Sequence, residues 1–262
     1  MSTDGSAPVG AAEGPTAGGR WTALAAFESG LREYARTPVL LALFVFLPAY
    51  LIGAFTRLVP ATQAPLDVPG SGIQVVDMAN VYAVFMVPLV GALVGALAGV
   101  FLVQSAREAD ARLVVAGARP ASVLLARFGL LTVVGALVAA VSVATAATVY
   151  VPERPLVLAG ATLLAALVYG LLGVLAGLVV NRLAGVYLAL FGTMLDLFIV
   201  QNPMADPPEY ARLLPGHVPV ELAVDAGFST EIARSTVGEG LAYLLVVALL
   251  TTLALHRTMR VS

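Results

Sequence analysis

The chain has no cysteine and no lysine, two histidines, and only 11% charged residues in 262. Each scarcity excludes something. Without cysteine there is no disulfide framework, thiolate metal site or cysteine nucleophile. Without lysine a G-x-x-x-x-G-K-[ST] loop cannot be written, so the chain holds no ATP-binding P-loop of its own. His217 and His256 are far apart in sequence, which leaves little basis for a zinc or copper site. Soluble domains carry about 25% charge, whereas this chain combines its low charge with 60% hydrophobic residues. Several apolar runs exceed the ~18 residues that mark a bilayer-spanning helix. The composition is that of a multi-pass, all-α membrane protein. The net charge of −2 matters less than where the charges sit.

From the N-terminus, residues 1–19 are rich in Gly, Ala, Ser, Thr and Pro, show no apolar periodicity, and read as a disordered tail. They lack the layout of a cleavable signal peptide, so the first span is expected to serve as an uncleaved insertion signal. The remainder, 20–262, reads as one transmembrane domain. Trp21, Leu24, Phe27, Leu31 and Tyr34 fall on one helical face and Arg32, Glu33 and Arg36 on the other. That pattern suits a helix lying in the membrane interface, separated from the first span by a break at Thr37-Pro38.

Six spans are expected: about 38–55, with Pro48 as a kink; within 78–106; within 128–152; within 155–181; about 183–201; and about 240–255. The loop 56–80, with Pro60, Pro65, Pro69, Gly70 and Gly72, is too short and turn-rich for a sizeable extra-membrane domain. Gly91, Gly95 and Gly99 form a ridge of small residues on the second span. Such a ridge packs either within one subunit, the more common use, or between two. Between spans five and six, residues 202–239 carry five prolines and two short amphipathic patches, PPEYARLL and PVELAV, expected to lie on or dip into the outer leaflet.

Arginine placement sets the orientation. With the N-terminus inside, ten arginines face the cytoplasm and four (Arg57, Arg154, Arg212, Arg234) face out. Both termini are therefore expected in the cytoplasm, and so is the segment 104–127. This segment concentrates Arg107, Arg112, Arg119 and Arg127 with Glu108 and Asp110. It also carries Leu113, Val114 and Val115, apolar residues framed by charges, a pattern that suits docking into a partner's groove. A plain topology-setting loop would have the same composition.

No catalytic constellation is present, so the chain is not expected to be an enzyme. Asp196 is the single acid well inside an expected span, about 20 Å along its helix and ~10 Å below the outer edge of the apolar core. A carboxylate there is costly and often functional. It either contacts substrate or makes a structural bond to Gln201, Asn202 or a nearby loop. His217 and His256 read as solvated or headgroup-facing.

This layout resembles the permease subunit of an ABC-2 type (type V exporter-like) ABC transporter over roughly residues 21–260. The resemblance rests on the interfacial helix, six spans, a cytoplasmic segment between spans two and three, and short embedded helices between spans five and six. In the family's coupling segment an acid precedes an apolar helix, then a Pro-x-Ser turn and a basic residue. Glu108, Leu113 to Val115, Pro120 with Ser122, and Arg127 match these positions. The family's frequent Gly-Thr after the acid is absent, with residues 109–112 in its place. The resemblance implies pairing with a second permease copy and with two copies of a separate ATPase that carries the ATP and Mg. It also implies export across a plasma membrane, with Arg107, Glu108, Asp110, Arg112 and Leu113 contacting the ATPase. No cofactor in this chain and no nucleic-acid partner is expected. A secondary transporter or a non-transporting scaffold are the alternatives. The lack of lysine and the abundance of Ala, Val, Gly and Arg suggest a GC-rich prokaryotic source.

Overall fold

The structure is a computed structural model that describes residues 38–60, 62–68, 72–115, 120–230 and 233–261, with backbone alone at 38–43, 105–115, 120–124 and 258–261. The disordered tail and the interfacial helix expected before residue 38 lie outside the described residues. The elements are α1 (Pro38–Leu58), β1 (Gln63–Val68), β2 (Gly72–Asp77), α2 (Met78–Val115), α3 (Pro120–Ala146), α4 (Pro155–Val179), α5 (Arg182–Thr193) continuing as a π-helical turn (Met194–Val200), a 3-10 turn (Glu209–Leu213), α6 (His217–Phe228) and α7 (Arg234–Val261).

Among the described residues, five helical stretches are long and apolar enough to cross a membrane: Met78–Gln104, Leu125–Ala146, Pro155–Val179, Arg182–Val200 and Arg234–Arg257. α1 is helical through Pro48 over its 21 residues, and the part of it with described side chains, Phe44–Leu58, is apolar. Large apolar side chains stand exposed along the outside of the bundle, including Leu183, Leu188, Phe191 and Leu195 on α5 and Leu241, Leu245, Leu249 and Leu253 on α7. Soluble monomers rarely expose such continuous apolar surface. These features describe a multi-pass membrane protein.

α2 is the central helix. Asp77 caps its N-terminus by accepting from the Ala79 N–H at 2.8 Å. From Val81 to Val103 nearly every side chain is buried. The glycine ridge explains how α4 comes so close. A Cβ at Gly95 would collide with the carbonyl of Ala166, and one at Gly99 with that of Gly170; reciprocally, one at Gly173 would collide with the carbonyl of Ala96. The ridge therefore packs two helices of the same chain, the more common of the two uses. At the end of α2 away from the hairpin, three contacts fix its base. Arg127 Nη1 donates to the Leu102 carbonyl at 2.6 Å, Gln104 Nε2 donates to the Val180 carbonyl at 3.2 Å, and the Arg182 guanidinium lies 4.8 Å from the centroid of Phe101. The Arg182 side of this clamp is positioned by Asn181, which caps α5 through Ala184 N–H.

The segment 56–80 is not the irregular loop its prolines and glycines suggest. β1 and β2 form an antiparallel hairpin with Leu66 opposite Gln74 and Pro65 opposite Val75. Gly72, with φ at +76°, supplies the turn geometry a β-carbon disfavours. The alternation of a strand puts Leu66 and Val68 inward, and Pro65, Ile73 and Val75 on the exposed face. In the sequence, Pro65 inside the first strand and the run of Pro69, Gly70 and Gly72 after it read as loop and outweigh the short alternation on either side.

Between α5, with its π turn, and α7, both amphipathic patches form short helices. The second, α6, is packed within the bundle. From Pro219 to Phe228 all but Glu221 are buried, against α4, α2 and α7. Its C-terminal carbonyls are satisfied by other segments: Arg154 N–H donates to Ala226 at 2.9 Å, Glu153 N–H to Gly227 at 3.3 Å, Tyr150 Oη to Gly227 at 3.0 Å, and Gln74 Nε2 to Phe228 at 3.4 Å. A buried helix end needs such partners. Tyr150 also stacks on Phe228 with centroids 5.2 Å apart.

Candidate site around Asp196

Asp196 sits in the π-helical turn that continues α5, where Gln201 N–H bonds back to the Asp196 carbonyl. Such turns widen a helix and recur at functional positions. The side chain is 7% exposed. No intramembrane partner for it is evident from the chain's linear order, yet it has three donors. Tyr169 Oη, from the middle of α4, donates to Oδ2. Gly216 N–H donates to the same oxygen at 3.0 Å, and Gln201 Nε2 approaches Oδ1 at 3.4 Å. Burial of a carboxylate is tolerable only with such compensation. Gly216 leaves little room: a Cβ there would stand 3.0 Å from Tyr169 Oη and 3.1 Å from both carboxylate oxygens, so these groups would have to give way by a few tenths of an ångström.

The network continues. Gln201 Nε2 also donates to the Ala211 carbonyl at 2.8 Å, and its Oε1 lies 3.3 Å from His217 Nδ1. His217 Nε2 lies 3.4 Å from Glu221 Oε2 one helical turn later, and Thr236 Oγ1 donates to Glu221 Oε1 at 3.3 Å. A single polar chain thus joins α4, the π turn, the 3-10 turn, α6 and α7. The expectation that His217 is simply solvated is corrected: its side chain is about three-quarters covered and bridges Gln201 and Glu221. His256 is exposed.

Further along α6, Asp225 is 2% exposed and its Oδ1 has no hydrogen-bond partner. Burial, and then the nearby Glu221 charge, push its carboxyl up to about 6. Burial, with Glu153 nearby, likewise raises the Tyr150 hydroxyl. Among the described residues, no group of three or more His, Asp or Glu side chains converges as a metal site.

Of the residues singled out in the sequence, Asp196 lies at the centre of this network and bonds to Tyr169, Gln201 and Gly216. Arg107, Glu108, Asp110, Arg112 and Leu113 lie on the last turns of α2; their side chains lie outside the described residues. Tyr169, Gly216, His217 and Glu221 were not anticipated. The i,i+4 spacing of His217 and Glu221 was the available signal; Tyr169 carried none, being one tyrosine in a long apolar run. No family model, curated protein or solved structure matches the chain.

Proposed function

We propose that this chain is the permease subunit of an ABC-2 type transporter. In this reading it has six spans with both termini in the cytoplasm, pairs with a second permease copy in the cell membrane of a prokaryote, and is driven in export by a separate ATPase that binds ATP and Mg. The observation that carries the reading is α2. Its 38 residues extend about 57 Å at 1.5 Å per residue, against a ~30 Å apolar core. The surplus lies past Gln104, where the candidate span ends, and bears the charged segment with Arg107, Glu108, Asp110, Arg112 and Leu113. The clamp by Arg127, Val180 and Arg182 stands at the base of that projection. A force applied to the projection would pass into the helix that packs at the centre of the bundle. ATP binding must favour one packing of the spans over another by a real difference in free energy, and a continuous central helix is a physical route for that difference.

The buried carboxylate Asp196 is the observation that favours an ion-coupled carrier instead. Its three donors fit a structural tie better than a site that must release and rebind an ion.

The test is affinity purification of the tagged protein from native membranes in mild detergent. An ATPase chain carrying a P-loop should accompany it, and Glu108→Arg combined with Arg112→Glu should remove that chain while the permease stays folded. Retention of the ATPase in the double variant would discard the contact residues and keep the family. No ATPase, under conditions that preserve a known ABC complex, would move the carrier reading forward.

A further inference from the structure

The orientation of the Gln201 amide is set by its neighbours. Its Nε2 faces two acceptors, the Asp196 carboxylate and the Ala211 carbonyl, at 3.4 and 2.8 Å. A flipped amide would set its oxygen against both. The Oε1 is therefore the atom that faces His217 Nδ1, so Nδ1 must carry a hydrogen. The other ring nitrogen, Nε2, faces the Glu221 carboxylate, which is also an acceptor. A neutral imidazole has one N–H and can serve one of these contacts; an imidazolium serves both.

We propose that His217 is a proton-operated latch: with both ring nitrogens protonated it links Gln201 of the π turn to Glu221, itself held by Thr236 of α7, and loss of one proton breaks one of these two links and loosens that end of α6. The groups that face it are Glu221 on its own helix, with Asp225 a turn beyond, and Asp196 on the π turn. Tyr169 of α4 donates to Asp196, and Tyr243 of α7 lies within electrostatic reach of it. Thr236 of α7 holds Glu221. The C-terminal end of α6 is pinned by backbone and neutral donors, Arg154 N–H, Glu153 N–H, Tyr150 and Gln74. The histidine therefore controls one end of a helix whose other end stays docked. By the arginine distribution, α6 is on the outer side, so the latch would sense the pH outside the cell.

Two properties of the sequence make this directly testable. The chain has two histidines and no cysteine. Protein labelled with 15N-histidine, with His256→Gln used for assignment, gives the protonation state of both His217 ring nitrogens. Ala223 on α6 is fully buried, so Ala223→Cys (or Ala226→Cys should the first fail to fold) reports undocking by its reaction with a membrane-impermeant maleimide. Rates are normalised to Thr230→Cys to remove the thiol's own pH dependence. Both His217 nitrogens should be protonated in acid. As pH rises, loss of one proton should coincide with an increase in Ala223→Cys labelling of about fivefold. His217→Gln should abolish the increase. A neutral His217 with a bare Nδ1 in acid would overturn the proposal, as would labelling independent of pH. A pH response that survives His217→Gln and vanishes in Asp225→Asn would assign the effect to Asp225 and overturn it too.

Discussion

The hydroxyl of Tyr169, deep in α4, donates to the carboxylate of Asp196 in the π turn. The tie joins two long helices at a point where neither could leave its polar group unpaired at low cost. A hydrogen bond to a charged group is worth about 1.5–3 kcal/mol. Tyr169→Phe should therefore lower the melting temperature in detergent while leaving the protein able to insert and assemble. If Asp196 acts chiefly as a structural tie, Asp196→Asn should lose stability and activity together, because its amide keeps one oxygen for Tyr169 and Gly216 but loses the charge that strengthens those bonds and turns its NH2 toward Gln201 Nε2. Full stability in Asp196→Asn combined with loss of transport would instead assign the carboxylate to substrate.

The contact of α2 with α4 gives a sharper contrast between glycines. Gly95→Ala or Gly173→Ala places a methyl group into a neighbouring backbone carbonyl. Overpacking of this kind costs typically 1–3 kcal/mol or more, and here rigid backbone on both sides limits relaxation. Gly160, on α4, has open space where a Cβ would stand, so Gly160→Ala should be neutral or stabilise by up to about 1 kcal/mol through helix propensity. Expression level and thermal unfolding of the three variants in one detergent would check this.

Asp225 should make stability depend on pH in a defined direction. Its folded-state carboxyl is raised from 3.8 to about 6, so the folded state holds the proton more tightly than the unfolded one. The resulting stabilisation is fully present below pH 3.8 and is lost as pH rises through about 6. The difference between wild type and Asp225→Asn, measured by thermal unfolding from pH 4 to about 7.5, should change by on the order of 1–3 kcal/mol in favour of the variant as pH rises. An unchanging difference would show that Asp225 finds a partner for its charge.

Much of the architecture was legible because a bilayer imposes a simple rule: uncharged runs of the right length become helices. The runs within 78–106, 128–152 and 155–181 returned as α2, α3 and α4, with α2 continuing past 106 to Val115 and α3 starting before 128 at Pro120. The last helix begins at Arg234, six residues before the expected start of its span, because polar residues such as Glu239 extend a helix beyond its apolar part. The β-hairpin was hidden, since the register that pairs Leu66 with Gln74 is a property of two strands together. The site was half legible. Asp196 stood out through the cost of its charge in an apolar run. Tyr169 and Gly216 did not, because what matters at those positions is a donor and an empty space facing a residue 27 and 20 positions away. Burial of α6 on all sides was likewise a matter of tertiary packing, which an amphipathic pattern understates.

The projection of α2 bears the central claim, and a photoreactive residue in place of Leu113, activated in native membranes, tests it most directly. The account predicts a covalent adduct with a chain that carries a P-loop lysine motif, and a change in its yield when the ATPase is trapped with ATP. Adducts formed only with lipid, with the protein itself or with chains lacking a nucleotide site, under conditions in which a known ABC complex does cross-link, would contradict it.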